Sequence, residues 1–186
     1  MASIFPMELF GSHLNVRPGV FIGYWKKEEA NNIYSFTLYP RALDISGSDE
    51  PDVWRWSWSE SDPRIEVEVA ELLVGHDLVV NGIFEMSHLT PGKKYEIFYM
   101  LYSKNPPAFE PRFSVTLQLP KGKPIVIERP LKIGPEGRAV VEGGEFVASA
   151  DGQVKFSLAN PDHLEWKKGL TIVGVSIRKY RLDAVV

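Results

Sequence analysis

Two glutamates set two residues apart, Glu66 and Glu68, are the nearest thing in this chain to a hydrolytic pair. On an extended strand such neighbours share a face roughly 7 Å apart, within the range over which two carboxylates flank a glycosidic bond. The same spacing also describes ordinary solvent-facing acids on one strand face, so a glycan-processing enzyme is the third-placed reading. Other catalytic sets fare worse. His13, His76, His88 and His163 fall in no nucleophile elbow and at no close metal-ligand spacing, and the chain has no cysteine for a thiolate nucleophile or a Cys-based zinc site. The glycine-bearing turns Gly134-Pro135-Glu136-Gly137 and Glu142-Gly143-Gly144-Glu145 lack the lysine or the following helix of a phosphate loop. No catalytic residue, metal ligand or cofactor is assigned.

What remains is aromatic. Val53-Trp54-Arg55-Trp56-Ser57-Trp58-Ser59 alternates at period two, so Trp54, Trp56 and Trp58 share one strand face. Indole rings offer flat apolar area and a quadrupole that suits the C–H face of a sugar, while nearby polar groups address its hydroxyls. Asp49, Glu50 and Asp52 stand just upstream as acceptors. Three tryptophans on one strand face also fill a core between two sheets, and spacing alone leaves both uses open.

The elements that would position these groups read as short strands. Arg112 to Leu119 alternates cleanly, as do Ile65 to Val69 and Gln153 to Leu158, each with one face for the core and one for solvent. Tyr95 to Tyr102 and Leu170 to Ile177 are apolar on nearly every residue and read as central strands. Turn residues punctuate the runs at Ser46-Gly47-Ser48, Pro91-Gly92, Pro106-Pro107, Gly143-Gly144 and Asp151-Gly152. The only helix expected is a short turn around Ala70 to Val74. This pattern predicts an all-β fold: a two-sheet antiparallel β-sandwich with an irregular N-terminal extension over residues 1–33, in which Val20 to Trp25 could form a short strand, and the sandwich domain over 34–186.

Composition narrows the partners. A formal charge of −3 and no long basic run argue against general attraction to nucleic acid or anionic membrane. The start lacks a basic segment followed by a long apolar one, and no apolar run approaches a membrane span, so no membrane association is expected. Without cysteines a reducing compartment is expected.

The residues also resemble a known family, the Nictaba-like or phloem protein 2 lectins of plants. The resemblance starts at Arg41-Ala42-Leu43-Asp44-Ile45 and continues through Asp49-Glu50-Pro51-Asp52-Val53-Trp54-Arg55-Trp56 and Glu68-Val69-Ala70-Glu71-Leu72. Gly82-Ile83-Phe84, Leu89-Thr90-Pro91-Gly92 with Tyr95, Trp166-Lys167-Lys168-Gly169-Leu170 and Gly174-Val175-Ser176-Ile177-Arg178 follow in the family's order, over about Tyr34 to Lys179. It implies a jelly-roll sandwich, a cytoplasmic or nucleocytoplasmic location, and non-catalytic binding of N-acetylglucosamine oligomers or N-glycan cores. Some relatives carry F-box or other domains upstream; the extension here is too short for one, and an autonomous lectin domain is expected.

Departures from the family pattern shape the expected site. Gly47 stands where the family has a Trp before the Asp-x-Pro turn, and Asp77 where another Trp follows the Val-Ala-Glu-Leu stretch. Gln153 and Asn160 stand where the founding lectin has glutamates proposed to touch sugar. Both still hydrogen-bond hydroxyls, without charge. Trp54 carries over as the sugar-linked aromatic, with Trp56 and Trp58 expected in the core. The resulting carbohydrate site is Trp54, Gly47, Asp49, Gln153 and Asn160, and its partners are oligosaccharides or glycoprotein glycans. The competing reading is an interaction protein of the same fold that has lost sugar affinity and binds protein or RNA. RNA is not favoured, and a homodimer stays open.

Overall fold

The computed structural model describes residues 23–28, 33–59, 67–75, 77–161 and 165–180, with backbone alone for 23–28 and 33–34. In these, two antiparallel sheets carry thirteen strands. The first is an eight-stranded sheet holding β1 (Gly23–Glu28), β2 (Ile33–Leu38), β4 (Trp54–Trp58), β5 (Glu68–Leu72), β7 (Lys94–Ser103), β10 (Lys132–Ile133), β11 (Arg138–Val147) and β13 (Leu170–Lys179). The second holds β3 (Asp44–Ile45), β6 (Leu78–Glu85), β8 (Arg112–Gln118), β9 (Ile125–Pro130) and β12 (Gln153–Asn160), in the order β3-β6-β12-β8-β9. The chain repeatedly crosses from one sheet to the other, so strands distant in sequence lie side by side.

Alternation decides which face each strand buries. Along β8, Phe113, Val115 and Leu117 are buried between more exposed neighbours, which is the half-buried pattern its sequence predicts. β7 and β13 lie side by side inside the larger sheet, paired from Leu170↔Ser103 to Lys179↔Tyr95. The nearly continuous apolar sequences of these two strands fit that central place. Tyr99, Phe113, Phe156, Leu158 and Ile177 meet in the core between the sheets.

Close packing across strands relies on one glycine in particular. Gly82 of β6 lies opposite Phe156 of β12, and a Cβ there would sit 2.1 Å from the Phe156 ring. The aromatic ring occupies the space that the missing side chain leaves.

Two expectations are corrected. The helical turn expected around Ala70 to Val74 is not formed: Ala70 and Leu72 are fully buried in β5, which pairs with β4 and β13. The period-two alternation that begins upstream continues through Leu72, and burial of every second residue overrides local helix propensity. Trp58, expected in the core, is 63% exposed. Gly23–Glu28, within the segment read as an extension, forms a strand antiparallel to β2; of Val20 to Trp25, the first three residues lie outside the described ones, as do Glu66, His13, His76 and His163.

Candidate functional site

β4 and β5 form an antiparallel ribbon that, among the described residues, pairs with the rest of the larger sheet through β13 alone, at Ile172↔Ala70 and Thr171↔Glu71. The face bearing the three tryptophans therefore runs outward from the core. Trp54 is 2% exposed, Trp56 is half-buried and Trp58 is open to solvent. The alternation placed the rings on one face correctly, but the burial order is the reverse of the expected one. It is Trp54 that packs in the core and Trp58 that faces outward.

The two inner indoles hold a tight loop in place. Trp54 Nε1 donates to Ser46 O at 2.9 Å and Trp56 Nε1 donates to Ser48 O at 2.9 Å. Ser46 Oγ donates to the Asp77 carbonyl and accepts from Val79 N, both at 3.1 Å, which stitches the loop to the start of β6. Within it, Ser48 N donates to Ile45 O and Glu50 N to Gly47 O. Gly47 sits at φ +63°, and a Cβ there would lie 2.9 Å from Glu50 Oε1. The backbone at this position favours glycine, so the departure from Trp is matched by the local turn.

A depression of about 520 Å³ lies between this loop and the ribbon. Arg41, Ser48, Asp49, Trp54, Arg55 and Trp56 contribute to its lining. Arg41, carried on the 3₁₀ turn Pro40–Ala42, covers one face of Trp56 with its guanidinium carbon 3.5 Å from the ring centroid. The same guanidinium donates Nε to Glu68 Oε2 at 2.7 Å and Nη2 to Glu68 Oε1 at 3.0 Å. That uses two of its five N–H donors. Arg55 is bound in turn to Glu71 at 2.5 Å. Chemically, the depression offers hydroxyl-binding groups, Asp49, Ser48 and Arg41, beside a line of aromatic rings.

Glu68 is not poised as a proton donor. The hydrogen bond from Arg41 holds its carboxyl below the ordinary carboxylate range, burial opposes this, and the Arg41 charge adds to the lowering. A glycosidic acid needs the opposite shift. Among the described residues, no group of three His, Asp or Glu side chains is placed to hold a metal ion.

The expected site residues do not converge. Gly47, Asp49 and Trp54 come together at the loop. Gln153 lies opposite Glu85 and donates to it at 2.5 Å, at the far end of β6 from the loop. Seven residue steps of β12 separate it from Asn160, about 23 Å at a strand's usual rise. Asn160 is at the loop's end of the sheet, opposite Leu78, but its amide turns away: it donates to Arg112 O at 2.9 Å and accepts from the buried Lys167 Nζ at 3.0 Å. Arg41 and Trp56 are lining residues absent from the expected set, whereas Ser48 lies in the loop Ile45 to Pro51 expected to build the pocket. Arg41 opens the first segment of the family resemblance, which was the available signal.

The model of the phloem protein 2 family matches residues 34–179, a span that includes the loop, the ribbon and all three tryptophans. The chain belongs to the phloem protein 2 family. Protein PHLOEM PROTEIN 2-LIKE A1 of Arabidopsis thaliana is 32% identical over 184 residues, covering 96% of this chain and 74% of that relative. A lectin of Luffa acutangula is 30% identical over 175 residues, covering 88% of this chain and 81% of the lectin. Among solved structures, a Podospora anserina GH26-CBM35 β-(1,4)-mannanase superposes with a TM-score of 0.50 at 12% identity over 81% of this chain. This phloem protein 2 chain spans 29% of that structure, and the likeness is one of fold, a β-sandwich.

Proposed function

We propose that this protein is a carbohydrate-binding lectin of the phloem protein 2 family, acting without catalysis on N-acetylglucosamine oligomers or N-glycan cores. Residues 34–186 hold the binding domain, and the extension 1–33 adds the strand Gly23–Glu28 to its larger sheet. The observation that carries the reading is the outward-running tryptophan face beside a polar depression. Trp58 stands 63% exposed at the end of that face, and an indole held open to water on a strand is a ready stacking surface. It lies about 7 Å beyond Trp56 at the spacing of same-face strand neighbours. A sugar stacked on Trp58 would place following residues of the glycan over the Arg41 guanidinium, with Asp49 and Ser48 in reach of hydroxyls.

Family membership and a relative named as a lectin support this reading. In it, Trp54 acts by holding the loop, and Gln153 and Asn160 lie outside the contact surface. The absence of cysteine fits a cytoplasmic or nucleocytoplasmic setting.

A glycan array probed with the wild-type protein and with Trp58→Ala tests the proposal. Binding to N-acetylglucosamine oligomers or N-glycan cores, lost in the variant, is the expected result. A wild-type protein that binds no glycan on the array would leave the sandwich as an interaction module for protein or RNA.

A further inference from the structure

The smaller sheet has two edges, and the loop described above lies at its β3 edge. At the opposite, β9 edge a trough of about 510 Å³ opens where β11 bulges between Glu142 and Gly144. Gly143 is among its lining residues, and a Cβ there would sit 2.6 Å from Ile97 Cγ2, so close packing against Ile97 keeps this position a glycine. Val115 and Leu117 of β8, with Ile125 and Ile127 of β9, supply aliphatic walls, and Ile125 is 49% exposed.

The charged groups around this trough are unevenly matched. Three acids line it and each already has a base: Arg178 donates to Glu96 at 2.8 Å, Lys132 to Glu142 at 2.5 Å, and Lys94 pairs with Glu145. Lys132 is the first cause that keeps the Glu142 carboxyl below its ordinary range, and the Arg129 charge is the last. Arg129 itself is the odd cation. Its Nε is buried without a hydrogen-bond acceptor, although the side chain lines the trough and is near Glu142. A guanidinium is a planar fork of donors shaped for a carboxylate, and leaving a buried donor unmet is costly.

We propose that this trough binds a small monoanionic carboxylate with an apolar body or face. The carboxylate meets the Arg129 guanidinium, and the apolar part lies along Leu117, Ile125 and Ile127. One negative charge balances Arg129, the one basic lining residue without an ion pair among the described residues. A dianionic phosphate would bring a second charge against Glu96, Glu142 and Glu145. Two sources share the chemistry, an aliphatic acid and a uronic-acid sugar with its C–H face on the isoleucines.

The test is an NMR titration of the ¹⁵N-labelled full chain with sodium octanoate and, separately, with methyl β-D-glucuronide. Uncharged octanol and methyl β-D-glucoside serve as controls. Saturable shifts centred on the amides of Ile125, Ile127, Arg129 and Gly144 are expected with at least one acid and not with its uncharged analogue. Arg129→Gln should weaken that binding at least tenfold while its amide spectrum stays folded, and Arg129→Lys should fall between. Octanoate alone would identify an aliphatic ligand, and the glucuronide alone an acidic sugar. If neither acid saturates these amides, or if the acid and its uncharged analogue bind alike, the proposal is overturned. Unchanged affinity in a folded Arg129→Gln protein would overturn it equally; were that variant unfolded, the wild-type comparison of acid with uncharged analogue decides.

Discussion

At the scale of single residues, the three tryptophans of one strand have three different uses. Trp54 is buried and its indole N–H holds Ser46 O, so it belongs to the fold. Trp54→Ala should cost about 3–5 kcal/mol of stability, the usual range for removing a large buried aromatic, as read by urea unfolding. Trp58→Ala should leave the unfolding midpoint within error. Asn160 separates structure from binding in the same way. Its amide serves Arg112 O and the fully buried Lys167, and Asn160→Ala should lower stability by about 1–3 kcal/mol while glycan affinity stays at the wild-type value in calorimetry. Family position alone suggested a sugar contact there. The residue's neighbours are visible only once β12 is placed between β6 and β8.

At the scale of elements, much of the sandwich was legible because burial follows strand period. β8 and β12 alternate, and β7 and β13, side by side inside the larger sheet, are apolar at most positions while burying about every second residue. The tryptophan strand was legible as a strand but not in its burial. Alternation tells which residues share a face, and it cannot tell that the β4–β5 ribbon leaves the sheet, so that one face passes from core to solvent. The cross-strand pair Gly82 and Phe156 gives a sharp check on the packing of β6 against β12. Gly82→Ala must displace the Phe156 ring and should cost about 1–3 kcal/mol in thermal or chemical unfolding. The Arg41–Glu68 clamp between the 3₁₀ turn and β5 predicts a pH response. Because Glu68 titrates below its ordinary value of 4.5 in the folded protein, its contribution is complete above that pH. The stability is then lost as pH falls through the lower, folded value. Melting temperatures from pH 6 to pH 3 should therefore drop less steeply for Glu68→Gln than for wild type.

At the scale of the whole molecule, the two openings described above lie at opposite edges of the smaller sheet. The loop-and-ribbon depression is at the β3 edge and the Arg129 trough at the β9 edge. Changes at one should leave the other intact, so Arg129→Gln should bind glycans as wild type does. The candidate site was legible in the sequence as a region, Asp49 through Trp56, because its motif and aromatics are contiguous. Gln153 and Asn160 were joined to it by family position, and strand direction puts about 23 Å between them. Arg41 was missed because its contact with Trp56 depends on a turn that folds back over the ribbon. The most direct test is calorimetric titration of chitotriose and an N-glycan core into wild type and Trp58→Ala. The account predicts saturable binding by wild type to at least one of them, weakened at least tenfold in a variant that melts at the same temperature. Binding unchanged in Trp58→Ala, or no heat from either glycan with wild type, would contradict it.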